Sequence, residues 1–142
     1  MTTSKTGLAL IAAHESLRLK AYLCPAGVPT IGYGHTKGVR MGDTITPDQA
    51  DKFLREDSAD AEKAVNAQGL KINQNQFDAL VSFTFNVGVG NFGKSTLLKK
   101  VKANADDPAI RNEFARWNKG GGKVLPGLTR RRKEEADLYF KK

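Results

Sequence analysis

Glu15, Cys24 and Thr30 are the residues of this sequence whose types and spacing suit one reaction. Residues 16–23 separate the first two, and residues 25–29 separate the second pair. A carboxylic acid ends an apolar-periodic segment, a turn containing Pro25, Gly27 and Pro29 follows, and then comes the run Pro29-Thr30-Ile31-Gly32-Tyr33-Gly34-His35-Thr36. Glycoside cleavage needs a proton donor for the leaving oxygen and a second group that stabilises or traps the sugar cation. Glu15 can supply the first. It lies near the expected C-terminal end of its helix, where the macrodipole disfavours a negative charge. Partial burial acts in the same direction, so both effects favour the protonated form that a general acid requires. The plain alternative is a surface glutamate on an amphipathic helix.

Thr30 and Cys24 belong on the other side of such a reaction. On a strand alternate residues share a face. Thr30, Gly32, Gly34 and Thr36 are therefore expected on one face, with Ile31, Tyr33 and His35 on the other. The first face has small hydroxyls and no bulk, so a sugar chain could lie against the backbone around Gly32. Thr30 could hold a water on the ring face opposite the acid. A β-branched residue in a strand after a proline would account for Thr30 alone. A lone cysteine is most often a buried small hydrophobe. As a thiolate, Cys24 could instead take a proton from water or attack the sugar carbon. No basic residue adjoins it, and Arg18 or Lys20 could reach it only through folding. A cysteine peptidase would need His14 or His35 as partner, but Cys24 precedes Pro-Ala-Gly rather than a helix start. His35 is expected to be packed and hydrogen-bonded.

The elements that must position these groups follow from periodicity and breakers. Residues 6–18 read as a helix, with Leu8, Ile11, Ala12 and Leu19 near helical spacing. Residues 21–40 hold too many glycines and prolines for a long helix, so short strands are expected near 22–24, 30–34 and 38–40. Thr46-Pro47-Asp48-Gln49 carries a capping-box pattern and opens a helix to about 67. Asn73-Gln74-Asn75-Gln76 starts an apolar helix containing Phe77, Leu80, Val81, Phe83 and Phe85, expected to be buried on several sides. Gly88, Gly90 and Gly93 end it in a glycine-rich loop. Three shorter helices are expected at about 95–103, 107–117 and 127–140, with a mobile loop over 119–123. In the last helix Arg130 can pair with Glu134 and Arg131 with Glu135 at helical spacing. The alternative is that one arginine turns inward toward Glu15.

A length of 142 residues fits one domain able to bury its own core. The 23 basic and 15 acidic side chains give a formal charge of +8, which attracts polyanions. No Lys/Arg run interleaved with aromatics marks a nucleic-acid face, so none is expected. The single cysteine excludes an intrachain disulfide and a cysteine metal cluster. With only His14 and His35 no zinc-ligand spacing occurs, so neither metal nor cofactor is expected. The apolar run after Lys5 lacks a basic start and meets His14-Glu15 at once, so no signal peptide and no stable membrane insertion are expected.

The spacing Glu15–Cys24–Thr30 and the run from Pro29 to Thr36 resemble the phage lysozymes (endolysins) of the T4 type, glycoside hydrolase family 24-like. In that family the middle position is usually aspartate; here it is cysteine. The stretch Gln76-Phe77-Asp78-Ala79-Leu80-Val81-Ser82-Phe83-Thr84-Phe85-Asn86-Val87-Gly88 is similar to their central helix. Arg116-Trp117-Asn118 and Gly127-Leu128-Thr129-Arg130-Arg131-Arg132 are similar to their C-terminal signature, so the likeness covers nearly the whole chain. It implies an α+β, mainly helical, lysozyme-like fold in two lobes within a single domain, 1–142. A small β-containing lobe would span about 15–65, and a helical lobe about 70–142 plus the N-terminal helix. The implied activity is hydrolysis of the link between N-acetylmuramic acid and N-acetylglucosamine in bacterial peptidoglycan. Glu15 would be the acid, Cys24 and Thr30 would handle the attacking water, and Phe85 and Ser95 would contact the glycan. An arginine is expected beside Glu15, with several candidates. The setting implied is a monomer in the host cytoplasm, released through a separate pore for lysis. A lytic transglycosylase using Glu15 alone, and a non-catalytic wall-binding protein, are the competing readings.

Overall fold

The computed structural model describes all 142 residues. Helix α1, Lys5–His14, is capped by Ser4, whose hydroxyl accepts from the Gly7 N–H and donates to the Asp78 carboxylate. The Ser4 N–H donates to the other Asp78 oxygen at 3.0 Å. Asp78 lies in α3, Gln74–Val87, so the start of α1 is fastened to the central helix. Gly7 makes the crossing close. A Cβ there would stand 2.7 Å from Thr3 Cγ2 and 2.8 Å from Asp78 Cγ. The helix stops at His14, four residues before the expected limit, and Glu15 already has extended backbone.

Strands β1, Arg18–Leu23, and β2, Pro29–Gly32, form an antiparallel hairpin pairing Tyr22 with Thr30 and Leu23 with Pro29. The expected strand at 38–40 does not form. Residues 43–45 take its place: Ala21 donates to the Asp43 carbonyl and Ile45 to the Leu19 carbonyl, both at 2.9 Å. The reason is local. The Arg40 N–H donates to the Asp43 carboxylate at 2.8 Å and Gly42 has φ +98°, which makes 40–43 a turn.

Helix α2, Pro47–Asn66, opens with the expected capping box between Thr46 and Gln49. At 20 residues it is about 30 Å long. It carries a small apolar cluster at one end, where Ala50 meets the hairpin residues Ala21 and Ile31, all buried. Its other buried residues, Leu54, Ala61 and Val65, join the main core. His35 is 6% exposed, stacks on Phe53 at 4.0 Å, and its Nδ1 lies 2.9 Å from an Asp57 oxygen. It is the packed histidine expected.

The main core surrounds α3. Asn73 and Gln76 form a second capping box, and every residue from Gln76 to Thr84 is buried. Phe83 meets Phe114 and Trp117 edge-on, each at 5.6 Å. The expected glycine loop after α3 is instead a short helix, α4, Val89–Lys94. Gly88 turns the chain at φ +96°, and the restarted helix puts Phe92 wholly inside the core. Helices α5, Thr96–Ala103, and α6, Ile110–Ala115, follow. The loop expected over 119–123 is a hairpin of β3, Lys119–Gly120, and β4, Lys123–Val124. Gly121 and Gly122 both have positive φ, which suits a two-residue hairpin turn. Helix α7, Pro126–Tyr139, then packs along α3. This mainly helical α+β arrangement with small antiparallel sheets is the fold class expected.

Gly7→Ala tests the α1–α3 contact. Overpacking against Thr3 and Asp78 should cost about 1–3 kcal/mol, read from denaturant unfolding. A variant as stable as the parent would mean that the crossing is loose.

Candidate active site

Glu15 is the first residue beyond α1, and its side chain is 27% exposed. Its Oε1 accepts from Arg131 Nη1 at 3.0 Å. Its Oε2 faces Gly34, where a Cβ would stand 3.6 Å away. A side chain at Gly34 would therefore crowd the free oxygen, and φ +84° further favours glycine. Glu15 opens onto a pocket of about 400 Å³ that is also lined by His14, Asn86, Leu125, Arg130 and Arg131.

Both sequence readings of the arginine cluster hold together at Arg131. It reaches inward to Glu15, and its Nε also donates to Glu135 Oε2 at 3.4 Å, the expected i,i+4 pair. Arg130 does not pair with Glu134; it lines the pocket, and Glu134 pairs with His14. Behind Arg131 lies a buried network. Ser82 Oγ donates to Glu135 Oε2 at 2.5 Å, and Arg132 Nε lies 2.9 Å from Glu135 Oε1. Burial pushes the Glu135 carboxyl up, opposed by Arg132, Ser82 and Arg131. Arg132 Nη2 donates to Asn86 Oδ1 at 2.7 Å, which leaves the Asn86 amide N–H groups free at the pocket.

Cys24 is partly exposed and unpaired, not a core residue. Its thiol is held below the ordinary value first by the Val28 backbone, then by the Ala26 backbone and the Thr30 hydroxyl, with burial opposing. Thr30 is 4% exposed, and its hydroxyl donates to the Val28 carbonyl at 2.9 Å. Cys24 and Thr30 thus lie close together on the β1–β2 hairpin, where backbone N–H groups of the turn favour the thiolate, and neither lines the pocket at Glu15.

Gly32 is placed differently from the expectation. The alternation argument holds only for extended backbone, and Gly32 has φ +66°. It is buried, and a Cβ there would meet Ile45 and Ala50 at 3.4 and 3.5 Å. It faces the small cluster, whereas Gly34 faces Glu15. Phe85 is half-buried against the main core, one residue before Asn86. Ser95 is 4% exposed and caps α5, accepting from the Leu98 N–H at 3.1 Å. It borders a separate pocket of about 300 Å³ with Glu113, Arg116 and Trp117. Sequence reasoning missed Asn86 and Ser82, and read Glu135 only as the helical-spacing partner of Arg131. Ser82 and Asn86 are polar positions in an otherwise apolar helix, a readable signal that something must satisfy them. No cluster of three or more His, Cys, Asp or Glu side chains could hold a metal.

A carboxyl fixed by a buried arginine at an open pocket, on a helical scaffold with two small hairpins, defines a lysozyme-type glycoside hydrolase. Residues 12–135 match the phage lysozyme family. The chain belongs to that family. It is 46% identical over 98% of its length to an endolysin of Acyrthosiphon pisum secondary endosymbiont phage 1, covering 98% of that protein. It superposes on the muramidase domain of SpmX from Asticaccaulis excentricus with a TM-score of 0.91, at 37% identity and 99% coverage of both chains. An endolysin from Escherichia coli O157:H7 phage FAHEc1 gives a TM-score of 0.89 at 39% identity, over 99% of this chain and 94% of that one.

Thr30→Val removes the hydroxyl that supports the Cys24 thiolate. The pH profile of thiol alkylation should then move to higher pH. An unchanged profile would mean that the backbone donors of Val28 and Ala26 set the thiol alone.

Proposed function

We propose that this phage-type peptidoglycan hydrolase cleaves the bond between N-acetylmuramic acid and N-acetylglucosamine with inversion, as a T4-type, glycoside hydrolase family 24-like enzyme. The observation that carries the reading is Glu15, held through Oε1 by buried Arg131 with Oε2 free beside Gly34. Glu15 gives its proton to the leaving glycosidic oxygen as the bond from the sugar carbon to that oxygen breaks. Water attacks the same carbon from the opposite face. The Cys24 thiolate accepts that water's proton, and the Thr30 hydroxyl orients it. Solvent then removes the proton from Cys24 and restores the one on Glu15. The lowered thiol makes cysteine serviceable where a carboxylate would otherwise stand.

Ser95 borders a second pocket with Trp117 and Arg116, which suits a further sugar unit, and Phe85 lies at the turn of α3 leading to Asn86. Gly32 has no part in this reading because it faces inward. The hairpin side and the helical side act as the two lobes, about 15–65 and 70–142 with α1. The protein works as a monomer on bacterial peptidoglycan, without nucleic acid, and reaches the wall through a separate pore. No helix is long and apolar enough to cross a membrane.

Glu15→Gln should lower lysis of purified walls by about 100-fold or more while the fold survives. Near-normal lysis would remove Glu15 from the mechanism. Cys24→Asp should keep substantial activity, Cys24→Ala should lose much of it, and Cys24→Ser should resemble alanine because a hydroxyl does not ionise at neutral pH. A fully active alanine variant releasing 1,6-anhydro ends would favour a transglycosylase. Wall binding should also weaken steeply with salt, as expected for a charge of +8 on an anionic polymer. Binding that is flat in salt would make the charge incidental.

A further inference from the structure

We propose that Glu135 is a positioning residue for the reaction, a buried counter-charge that aims two consecutive arginines at the active site and offsets their field at Glu15. This rests on the reading of Glu15 as the acid. Glu135 is 0% exposed and reaches no pocket that could hold substrate. Every group against its carboxylate is a donor or a cation. Oε2 accepts from Ser82 Oγ at 2.5 Å and from Arg131 Nε at 3.4 Å, while Oε1 faces Arg132 Nε at 2.9 Å. Burial pushes this carboxyl up, and it is opposed by Arg132 as a charge at ion-pair distance and by the hydrogen bonds from Ser82 and Arg131, the short Ser82 contact being typical of a charge-assisted bond. Arg131 continues to Glu15 at 3.0 Å, and Arg132 continues to Asn86 at 2.7 Å. One carboxylate therefore orients both the acid and the amide that line the same pocket.

The charges in this cluster balance: Arg131 and Arg132 against Glu15 and Glu135. The neighbouring charges are already paired. His14 of α1 meets Glu134, Arg111 of α6 meets Asp137, and Arg116 of α6 meets Glu113. Arg130 of α7 lies at the pocket with no carboxylate within ion-pair distance. None of these stands between Arg131 and Glu135. Glu135 therefore offsets the positive field that Arg131 would otherwise press on Glu15. A general acid must be protonated to act, so activity falls on the alkaline side. Without the Glu135 charge the two arginines favour the Glu15 carboxylate, and that fall comes at lower pH.

The test compares pH–rate profiles for wall lysis in Glu135→Gln, Glu135→Asp and the double variant Glu135→Gln with Arg132→Met, each checked for folding by circular dichroism. Glu135→Gln should move the alkaline limb down by about one pH unit. Glu135→Asp keeps the charge and should leave the limb in place, even if kcat falls through the shorter reach. The double variant removes one cation with the anion and should return the limb toward its parent position. A limb that stays put in folded Glu135→Gln, or that moves equally in the aspartate variant, overturns the proposal. Should Glu135→Gln not fold, Ser82→Ala decides. Ser82 touches no substrate pocket, so its loss should lower kcat about tenfold with KM unchanged. Unchanged kcat, or a fall matched only by lost stability, overturns the proposal. If Glu15→Gln itself remains active, the failure is in the assignment of the acid rather than of Glu135.

Discussion

Burying Arg131 is the constraint around which the rest of this protein is arranged. A guanidinium 4% exposed must be compensated on every side, because an unpaired buried charge costs several kcal/mol. Its partners come from three different elements. Glu15 arrives from the end of α1, the Ser82 carbonyl from α3 at 3.5 Å, and Glu135 from α7 itself. The chain must therefore bring its first and last helices together on the central one. Gly7 allows α1 to approach α3, and Asp78 grips the start of α1. The acid's place in the pocket is a consequence of this junction, set by helix packing rather than by a loop.

The β1–β2 hairpin is governed by different physics. The β1–β2 hairpin is short, and its geometry comes from backbone turns. Cys24 closes that turn, with its N–H donating to the Val28 carbonyl at 3.1 Å. The backbone of the turn, Val28 first, holds the thiol below its ordinary value. Gly34 then keeps the far end of the hairpin low enough for the free oxygen of Glu15. Small residues are needed here for access, not for packing.

The parts of this design that were legible in the sequence share one property: their cause is local. The capping box at Thr46 and the buried periodicity of α3 each depend on a few neighbouring residues, and each formed where expected. The unexpected features have causes elsewhere in the chain or in glycine dihedrals. Helix α4 exists because Phe92 finds the core across the turn at Gly88. Gly32 and Gly34 do not share a face because positive φ interrupts the alternation that a strand would keep. In the arginine cluster, helical spacing foresaw Arg131 with Glu135. It could not choose which arginine turns inward, because that choice is made by Ser82 and Glu15, respectively 49 and 116 residues away in sequence.

The hairpin cysteine and the arginine-bound glutamate have their charges stabilised in different ways. A thiolate offers a single large acceptor atom and is weakly basic only where donors converge on it. A hairpin turn supplies such donors from its own backbone, so Cys24 needs no cation beside it. Glu15 has the opposite requirement. Its carboxylate meets a buried cation, and that cation is itself paired from behind. Arg131 does the aiming, and Glu135 with Ser82 supplies the offset from within the core. Backbone donors hold the thiol and buried side-chain charges hold the Glu15 carboxyl, so the two groups draw on separate sets of residues.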